Sequence, residues 1–546
     1  MSLSTRQWLA AACTGVLLAL AFPYPDLHAL VWVALVPLIV AVRGASPWQR
    51  WWAGLLAGFV WRAASLYWIA HVMHEYGDVS LPIGVAIAGL LALWMALSVG
   101  LIALLVPSAL AWRGAGAVAL AAAWVGLEYL QVLAPFGFPW SLLGYAAGRA
   151  PALMQAADIA GVWGLSLLAV FVNAAVAQRI VAGRRALPVA AVAAVLLVAA
   201  ASYGAVRLAQ APPLDAVDGP PPAPGALRVA AVQGNVDQGR VWEPAELRSI
   251  LEQHVSLSLQ ATAAGADLLI WSESSVPVPG GLQGDPSTRE MLAQLARQHD
   301  VAIVVGSPHF ERDDAGRVSV ANSAFLVSAD GTWLARYDKV RLVPFGEYVP
   351  LAWLFRFVAP LVEAVAGFRR GEPDQPLFAD PAAGVPPFAM AICYEVVFPE
   401  LLRRQVAGGA TFLATITNDA WFGDTSAPYQ HFSMARLRAV ENRRYLVRAA
   451  NTGISGVVDP WGRVVAGTEV NVTALVEATI VPREGGGLYA WVGDWLARLC
   501  VVLGGVAAVL AGRRRRSPPL ADPSHFHHGL LGPMDPEMAE GQEKER

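Results

Sequence analysis

The chain has 546 residues, of which 56% are hydrophobic and 15% charged, against about 25% charged in an ordinary soluble chain. That composition argues against a fully water-soluble protein, and the net charge of −3 supplies no basic field for nucleic acid. Three cysteines cannot form a disulfide scaffold, and only two of the 39 basic residues are lysines, Lys339 and Lys544. A lysine kept inside a folded region of such a chain is conspicuous.

From Gln7 to Arg207 the sequence runs as long apolar stretches broken by short loops, which predict helices near 8–22, 27–42, 52–70, 82–106, 115–133, 161–178 and 187–205. Several reach the ~20 residues needed to cross a bilayer core, and the first two are marginally short. Arg6, Arg43 with Arg50, Arg113, and Arg179 with Arg184 and Arg185 fall in alternate loops. A last apolar run near 490–511 precedes Arg513 to Arg516. The positive-inside bias puts all of these clusters in the cytoplasm, which gives eight spans with both ends inside. The chain thus divides into a seven-helix transmembrane region (1–207), a Pro-rich linker (208–226), an outer domain (227–488), an eighth transmembrane helix (489–512) and a cytoplasmic tail (513–546) of disordered composition.

The outer block reads differently. β-type runs at 227–233, 267–271, 301–305, 323–327, 388–393 and 412–417 alternate with helical patterns at 244–264 and 286–299. Alternating strands and helices of this kind predict an α/β domain with a mostly buried sheet.

Cys393 is the outer domain's only cysteine, so it has no disulfide partner there. It closes the apolar run Met390-Ala391-Ile392 and precedes Phe398-Pro399-Glu400, which opens a helix. A strand-to-helix turn exposes a side chain and offers backbone N–H groups to a developing oxyanion; the same context also suits a buried core cysteine. Glu273 follows the strand ending at Trp271, and Lys339 follows another β-type run. Strand ends are where α/β folds collect their chemistry. A thiol needs a base, and a nearby ammonium favours the thiolate and an oxyanion. Each residue alone also suits an ordinary surface position.

The words around these residues carry a resemblance. Gln233-Gly234-Asn235, Trp271-Ser272-Glu273-Ser274-Ser275-Val276-Pro277, Leu342-Val343-Pro344-Phe345-Gly346-Glu347-Tyr348-Val349-Pro350, Cys393-Tyr394-Glu395 and Thr417-Asn418-Asp419-Ala420-Trp421-Phe422-Gly423 stand in the outer domain. Gly137-Phe138-Pro139-Trp140 and Gly161-Val162-Trp163-Gly164 stand in the membrane part. Together they resemble the bacterial apolipoprotein N-acyltransferases of the nitrilase superfamily, from about residue 8 to 511. Ser272 departs from the proline common there, a change in the turn and not in the chemistry.

The resemblance implies an α/β nitrilase-like αββα sandwich carried on an eight-helix transmembrane bundle in the bacterial inner membrane, with the catalytic domain on the periplasmic side. It implies Glu273 as general base, Lys339 as the oxyanion-stabilising cation and Cys393 as nucleophile. Glu347, Tyr394, Glu395 and Trp242 follow as supporting or substrate-binding residues, with the Tyr394 backbone N–H as a second oxyanion donor. Asn418, Asp419 and Trp421 are expected to shape a loop. The implied reaction moves a fatty acyl chain from a membrane phospholipid to Cys393, then to the α-amine of a diacylglyceryl-cysteine apolipoprotein. The lipid bilayer is itself a partner, and neither a cofactor nor a metal is expected, since no ligand cluster or Gly-rich phosphate loop stands in the folded part. The apolar stretch 351–368 suits an arm dipping into lipid or ordinary packing on the sandwich. Two other readings share parts of this pattern: a membrane-anchored amidase for small amides, and a transporter with an outer binding domain.

Overall fold

A computed structural model describes residues 3–77, 79–134, 137–214, 225–239, 245–278, 280–312, 316–344, 346–348 and 368–516. The amino-terminal part is helical: α1 (Thr5–Leu20), α2 (Val36–Ala41), α3 (Pro47–Ser65), α4 (Trp68–Glu75), α5 (Leu81–Ala111), α6 (Arg113–Leu133), α7 (Leu143–Ala147), α8 (Pro151–Met154), α9 (Ala157–Ala182) and α10 (Leu187–Ala209). Large apolar side chains such as Leu90, Val195, Val198 and Val506 point outward, as they do on a surface that meets lipid rather than water.

Eight crossings are expected from the apolar runs, and the structure qualifies that number. Among the described residues four helical stretches are long and apolar enough to span: Leu81–Ala111, Arg113–Leu133, the 53-residue run Ala157–Ala209 and Trp495–Arg513. The third contains α9 and α10, of 26 and 23 residues, joined by a 3-10 turn at Gly183–Ala186. A fifth arises if α3 and α4, bent by 51° at their junction, count as one. α1 has only 16 residues, and the 27–42 stretch breaks into a 3-10 turn (His28–Trp32) and the six-residue α2, so neither reaches the length a straight crossing needs.

Close backbone approach holds the bundle together. A Cβ on Gly54 of α3 would lie 2.6 Å from Val99 O of α5, and one on Gly126 of α6 would lie 3.0 Å from Cys500 O. Small residues at such crossings are the usual means of helix association where no hydrophobic drive separates protein from lipid.

The outer domain begins with β1 (Leu227–Gln233), α11 (Leu247–Ala263), β2 (Leu268–Trp271), α12 (Pro286–His299), β3 (Ala302–Arg312), β4 (Val318–Val327) and β5 (Trp333–Asp338). After β6 (Phe378–Asp380) and β7 (Val385–Ile392) come α13 (Pro399–Ala407), β8 (Leu413–Thr417), α14 (Ala427–Asn442), β9 (Leu446–Ala450), β10 (Gly456–Val458), β11 (Val464–Gly467) and β12 (Ala474–Ile480). α15 (Leu488–Val492) and α16 (Trp495–Arg516) return the chain to the bundle, where α16 packs on α6.

Two six-stranded sheets form, in the orders β12-β1-β2-β3-β4-β5 and β11-β10-β9-β8-β7-β6. Each has a parallel centre, β1-β2-β3 or β7-β8-β9, with antiparallel neighbours outside it. The sheets face each other through β1 on β9 and β4 on β7, while α11 and α12 cover one and α13 and α14 the other. β1 shows why its sequence is apolar at each position from Val229 to Val232: Val229 and Ala231 join the core between the sheets, and Ala230 and Val232 join the core under the helices. With period-two alternation, a strand covered on both faces has no solvent side. This is the expected αββα sandwich.

Candidate active site

One central strand and one edge strand of the first sheet, β2 and β5, and the strand β7 of the second bring their ends together here. Glu273 stands two residues beyond β2, Lys339 directly after β5 and Cys393 directly after β7. All three are buried, at 6%, 1% and 7% exposure, and the fold brings together the three residues singled out from sequence.

Lys339 Nζ lies 2.8 Å from Glu347 Oε1 and 3.5 Å from Glu273 Oε1. Burial opposes the ammonium charge, but the Glu347 and Glu273 carboxylates outweigh it and hold Lys339 above the ordinary lysine range. Cys393 shows the opposite balance. Burial and the Glu273 charge push its thiol well up, and Lys339 with the Thr417 hydroxyl pulls only part of the way back. The resting group is therefore a neutral thiol, which needs its proton removed as it attacks.

Other residues hold this arrangement, and of them only Asn418 was singled out from sequence, as a loop-shaping residue. The Asn322 side chain, from the middle of β4, donates to Glu273 Oε1 at 2.6 Å and to Glu347 Oε1 at 3.1 Å. The Asn418 backbone N–H donates to Glu273 Oε2 at 2.6 Å, and the Val343 N–H donates to Glu347 Oε2 at 2.9 Å. Asn418 thus does more than shape its loop. Its side chain donates to Gln238 at 2.6 Å and accepts from Asn451 at 3.0 Å. A polar residue just before the β-type run at 323–327 was the only sequence signal for Asn322.

Glu395 ties the nucleophile's turn to the lysine's. Its Oε1 accepts from Val340 and Arg341 N–H at 2.6 and 2.9 Å, and its Oε2 from Ile392 N–H and Tyr337 OH at 2.8 and 3.0 Å. Burial pushes this carboxyl up to about 7 despite those donors. Tyr394 reaches the other way, its hydroxyl donating to Gly137 O at 3.1 Å and its ring stacking on Phe138 at 5.9 Å. Cys393 itself has φ +53, an unusual backbone for a residue with a side chain. Behind it, His431 Nε2 lies 3.1 Å from Cys393 O, and Asp419 and Arg448 back the imidazole. Trp421, the third expected loop residue, is partly exposed and packs edge-on to Tyr76. Trp242 and positions 351–367 of the apolar stretch lie outside the described residues.

The membrane-part motifs turn out to be joints. Trp140 donates through its indole to Gln430 at 2.6 Å, and Val162 N–H donates to Glu441 at 2.8 Å. Two buried ionisable residues of the bundle, Arg62 and Glu128, serve the same junction. Arg62 donates to Ser141 O at 2.7 Å, and Glu128 accepts from Leu143 N–H at 2.8 Å. Both are engaged with backbone groups near the junction, which accounts for their burial without a transport role. Among the described residues no three His, Cys, Asp or Glu side chains are grouped to hold a metal ion.

Residues 14–175 match the family model for the apolipoprotein N-acyltransferase N-terminal domain, and residues 228–486 match that for carbon-nitrogen hydrolases. The apolipoprotein N-acyltransferase of Geobacter metallireducens is 39% identical over 518 residues, 93% of this chain and 96% of that protein. The chain belongs to the apolipoprotein N-acyltransferase family. Its similarity to the enzyme of that name from Gloeobacter violaceus is 35% over 92% of this chain and 94% of the other, and to that from Azotobacter vinelandii 34% over 93% and 96%. Among solved structures, an amidase from Nesterenkonia sp. aligns at 24% identity over 47% of this chain and 91% of its own, with a TM-score of 0.35. The NitFhit protein of C. elegans aligns at 22% over 53% and 65%, with a TM-score of 0.38.

Proposed function

We propose that Glu273, Lys339 and Cys393 transfer a fatty acyl chain from a membrane phospholipid to the N-terminal α-amine of a diacylated apolipoprotein. Glu273 takes the thiol proton as Sγ attacks an ester carbonyl, and the oxyanion is met by Lys339 Nζ and the Tyr394 N–H. The ester C–O bond breaks, Glu273 returns the proton to the leaving glycerol oxygen, and an S-acyl enzyme remains. The amine of the diacylglyceryl cysteine then attacks the thioester. Glu273 takes the amine proton, the C–S bond breaks, the sulfur is reprotonated, and an amide is formed.

The observation that carries this reading is the buried ammonium shared by two carboxylates, 2.8 Å from Glu347 and 3.5 Å from Glu273, with the Cys393 thiol within their electrostatic reach. Glu347, Glu395 and Tyr394 are supporting residues, and Trp242 is proposed on resemblance alone. Arginine placement supports eight crossings with the catalytic domain on the periplasmic face of the inner membrane. Both substrates are lipids, which accounts for a catalytic sandwich bonded directly to membrane loops at Gly137, Trp140 and Val162. Purified protein given a phospholipid and a diacylated lipopeptide is expected to yield the triacylated product. Release of ammonia from small amides, with no lipid transfer, would overturn the assignment.

A further inference from the structure

His431 is fully buried on α14, outside the groups the acyl transfer uses, and its surroundings fix its hydrogen-bonding state. Its Nε2 lies 3.1 Å from the Cys393 carbonyl oxygen, which only accepts, so Nε2 carries the proton. Its Nδ1 lies 3.0 Å from Arg448 Nη2, which only donates, and 3.1 Å from Asp419 Oδ1. Asp419 is already occupied by Arg448 Nη2 at 2.8 Å and the Thr417 hydroxyl at 2.8 Å. Burial and the neighbouring guanidinium hold the imidazole neutral. The ring then donates at Nε2 to Cys393 and accepts at Nδ1 from Arg448. Trp140 and Phe422 pack against it at 5.5 and 6.0 Å.

The carbonyl that His431 holds belongs to the peptide unit linking Cys393 to Tyr394. That unit is planar and trans, so its C=O and N–H point in opposite directions. Pinning the oxygen on one side aims the Tyr394 N–H at the other. This amide lies in the first turn of the 3-10 helix Cys393–Val397, where a helix's own ladder leaves N–H groups free. Cys393 at φ +53 is the strained residue beside it, and a strained turn persists only where its surroundings hold it. Without the pin, rotation of this one peptide would swing the N–H away and turn a carbonyl toward the acyl oxygen.

We propose that His431 is a positioning residue that locks the Cys393–Tyr394 peptide plane, so that the Tyr394 N–H faces the acyl oxygen and not the protein interior. The proposal rests on the acyl-transfer reading above, and it separates two properties of the site. Attack on an ester develops an oxyanion and needs the amide. Alkylation of the thiol by iodoacetamide displaces iodide with no tetrahedral intermediate and does not need it.

The test uses the full-length protein in phospholipid nanodiscs with three substitutions. His431→Met fills the space without a donor. His431→Gln places an amide N–H at the Nε2 position and an oxygen facing Arg448. His431→Asn keeps a polar partner for Arg448 with an amide too short to reach the Cys393 carbonyl. S-acyl adduct on Cys393 and its iodoacetamide alkylation are followed by peptide mass spectrometry, alongside thermal unfolding. H431M and H431N are expected to form adduct about 100-fold more slowly, the usual effect of losing one oxyanion donor, while alkylation stays within about threefold of the parent. H431Q is expected to recover most of the acylation rate. Unchanged acylation in H431M and H431N overturns the proposal, as does a fall that alkylation shares and H431Q does not rescue. Absence of adduct on the parent protein overturns the acyl-transfer reading and the proposal with it.

Discussion

Replacing Lys339 with methionine removes the cation between the buried Glu273 carboxylate and the partly buried Glu347 carboxylate. At an effective dielectric of about 20, unit charges separated by its distances of 2.8 and 3.5 Å attract by roughly 6 and 5 kcal/mol. Desolvating the three groups cancels much of that, and removing one partner of a buried pair typically costs about 3–5 kcal/mol. The loss does not stay constant with pH. In K339M the Glu273 and Glu347 Oε1 atoms still converge on the Asn322 amide, and two such carboxylates share a proton, so one pKa rises above its unfolded value. A carboxyl raised in the folded state contributes stability that is complete below its unfolded value of about 4.3 and is lost as pH rises through the raised one. K339M is therefore expected to be nearest the parent at about pH 5 and furthest from it at about pH 8. Adding Glu347→Gln removes one carboxylate and is expected to restore most of the loss. The assay is thermal unfolding of the detergent-solubilised full-length protein across that range, with a deficit for K339M of roughly 10 °C at the alkaline end. Equal destabilisation of K339M and K339M/E347Q at every pH, or a K339M as stable as the parent, would refute this account of the site.

Asn322→Ala deletes both amide bonds to the carboxylate pair, and acyl-enzyme formation is expected to fall about 10- to 100-fold, measured as the rate of S-acyl adduct appearance. Burial alone would raise the Asp419 carboxyl, but the Arg448 guanidinium holds it down to about 2. A depressed carboxyl stabilises above its unfolded value near 4 and loses that share as pH falls toward 2, here about 2 kcal/mol. Arg448→Met is accordingly expected to move acid unfolding, followed by tryptophan fluorescence, to higher pH; an unchanged midpoint would count against the buried pair.

What could be read from sequence, and what could not, follows from how each residue is satisfied. Glu273 and Cys393 follow β2 and β7, apolar strands buried where they end, so each strand announces its end and the group beyond it, whereas Lys339 follows the half-exposed edge strand β5 and stood out as the domain's only lysine. β1, β2 and β8 were legible for the same reason, their buried positions being written mainly as apolar and β-branched residues. β9 was not: Leu446-Val447-Arg448-Ala449-Ala450 carries a fully buried arginine, neutralised by Asp419 from the end of β8. That neutralisation crosses strands and leaves no local mark. β5 and β11 are half-exposed edge strands of the two sheets and mix Trp, Arg and Asp or small residues with their apolar positions. Asn322 and His431 were missed because a buried polar residue becomes interpretable only once its partners are known. The short first helices show the converse: apolar composition marks a segment as buried, whereas breaks at Leu27 and Val33 decide its length.

The central claim is that Cys393 carries the acyl chain between two lipids. Incubating the full-length protein with phospholipid and mapping its peptides by mass spectrometry tests this most directly. An acyl mass is expected on the peptide containing Cys393, sensitive to hydroxylamine and absent from Cys393→Ala. An adduct that persists in C393A, or one found on Cys13 or Cys500 instead, would contradict it.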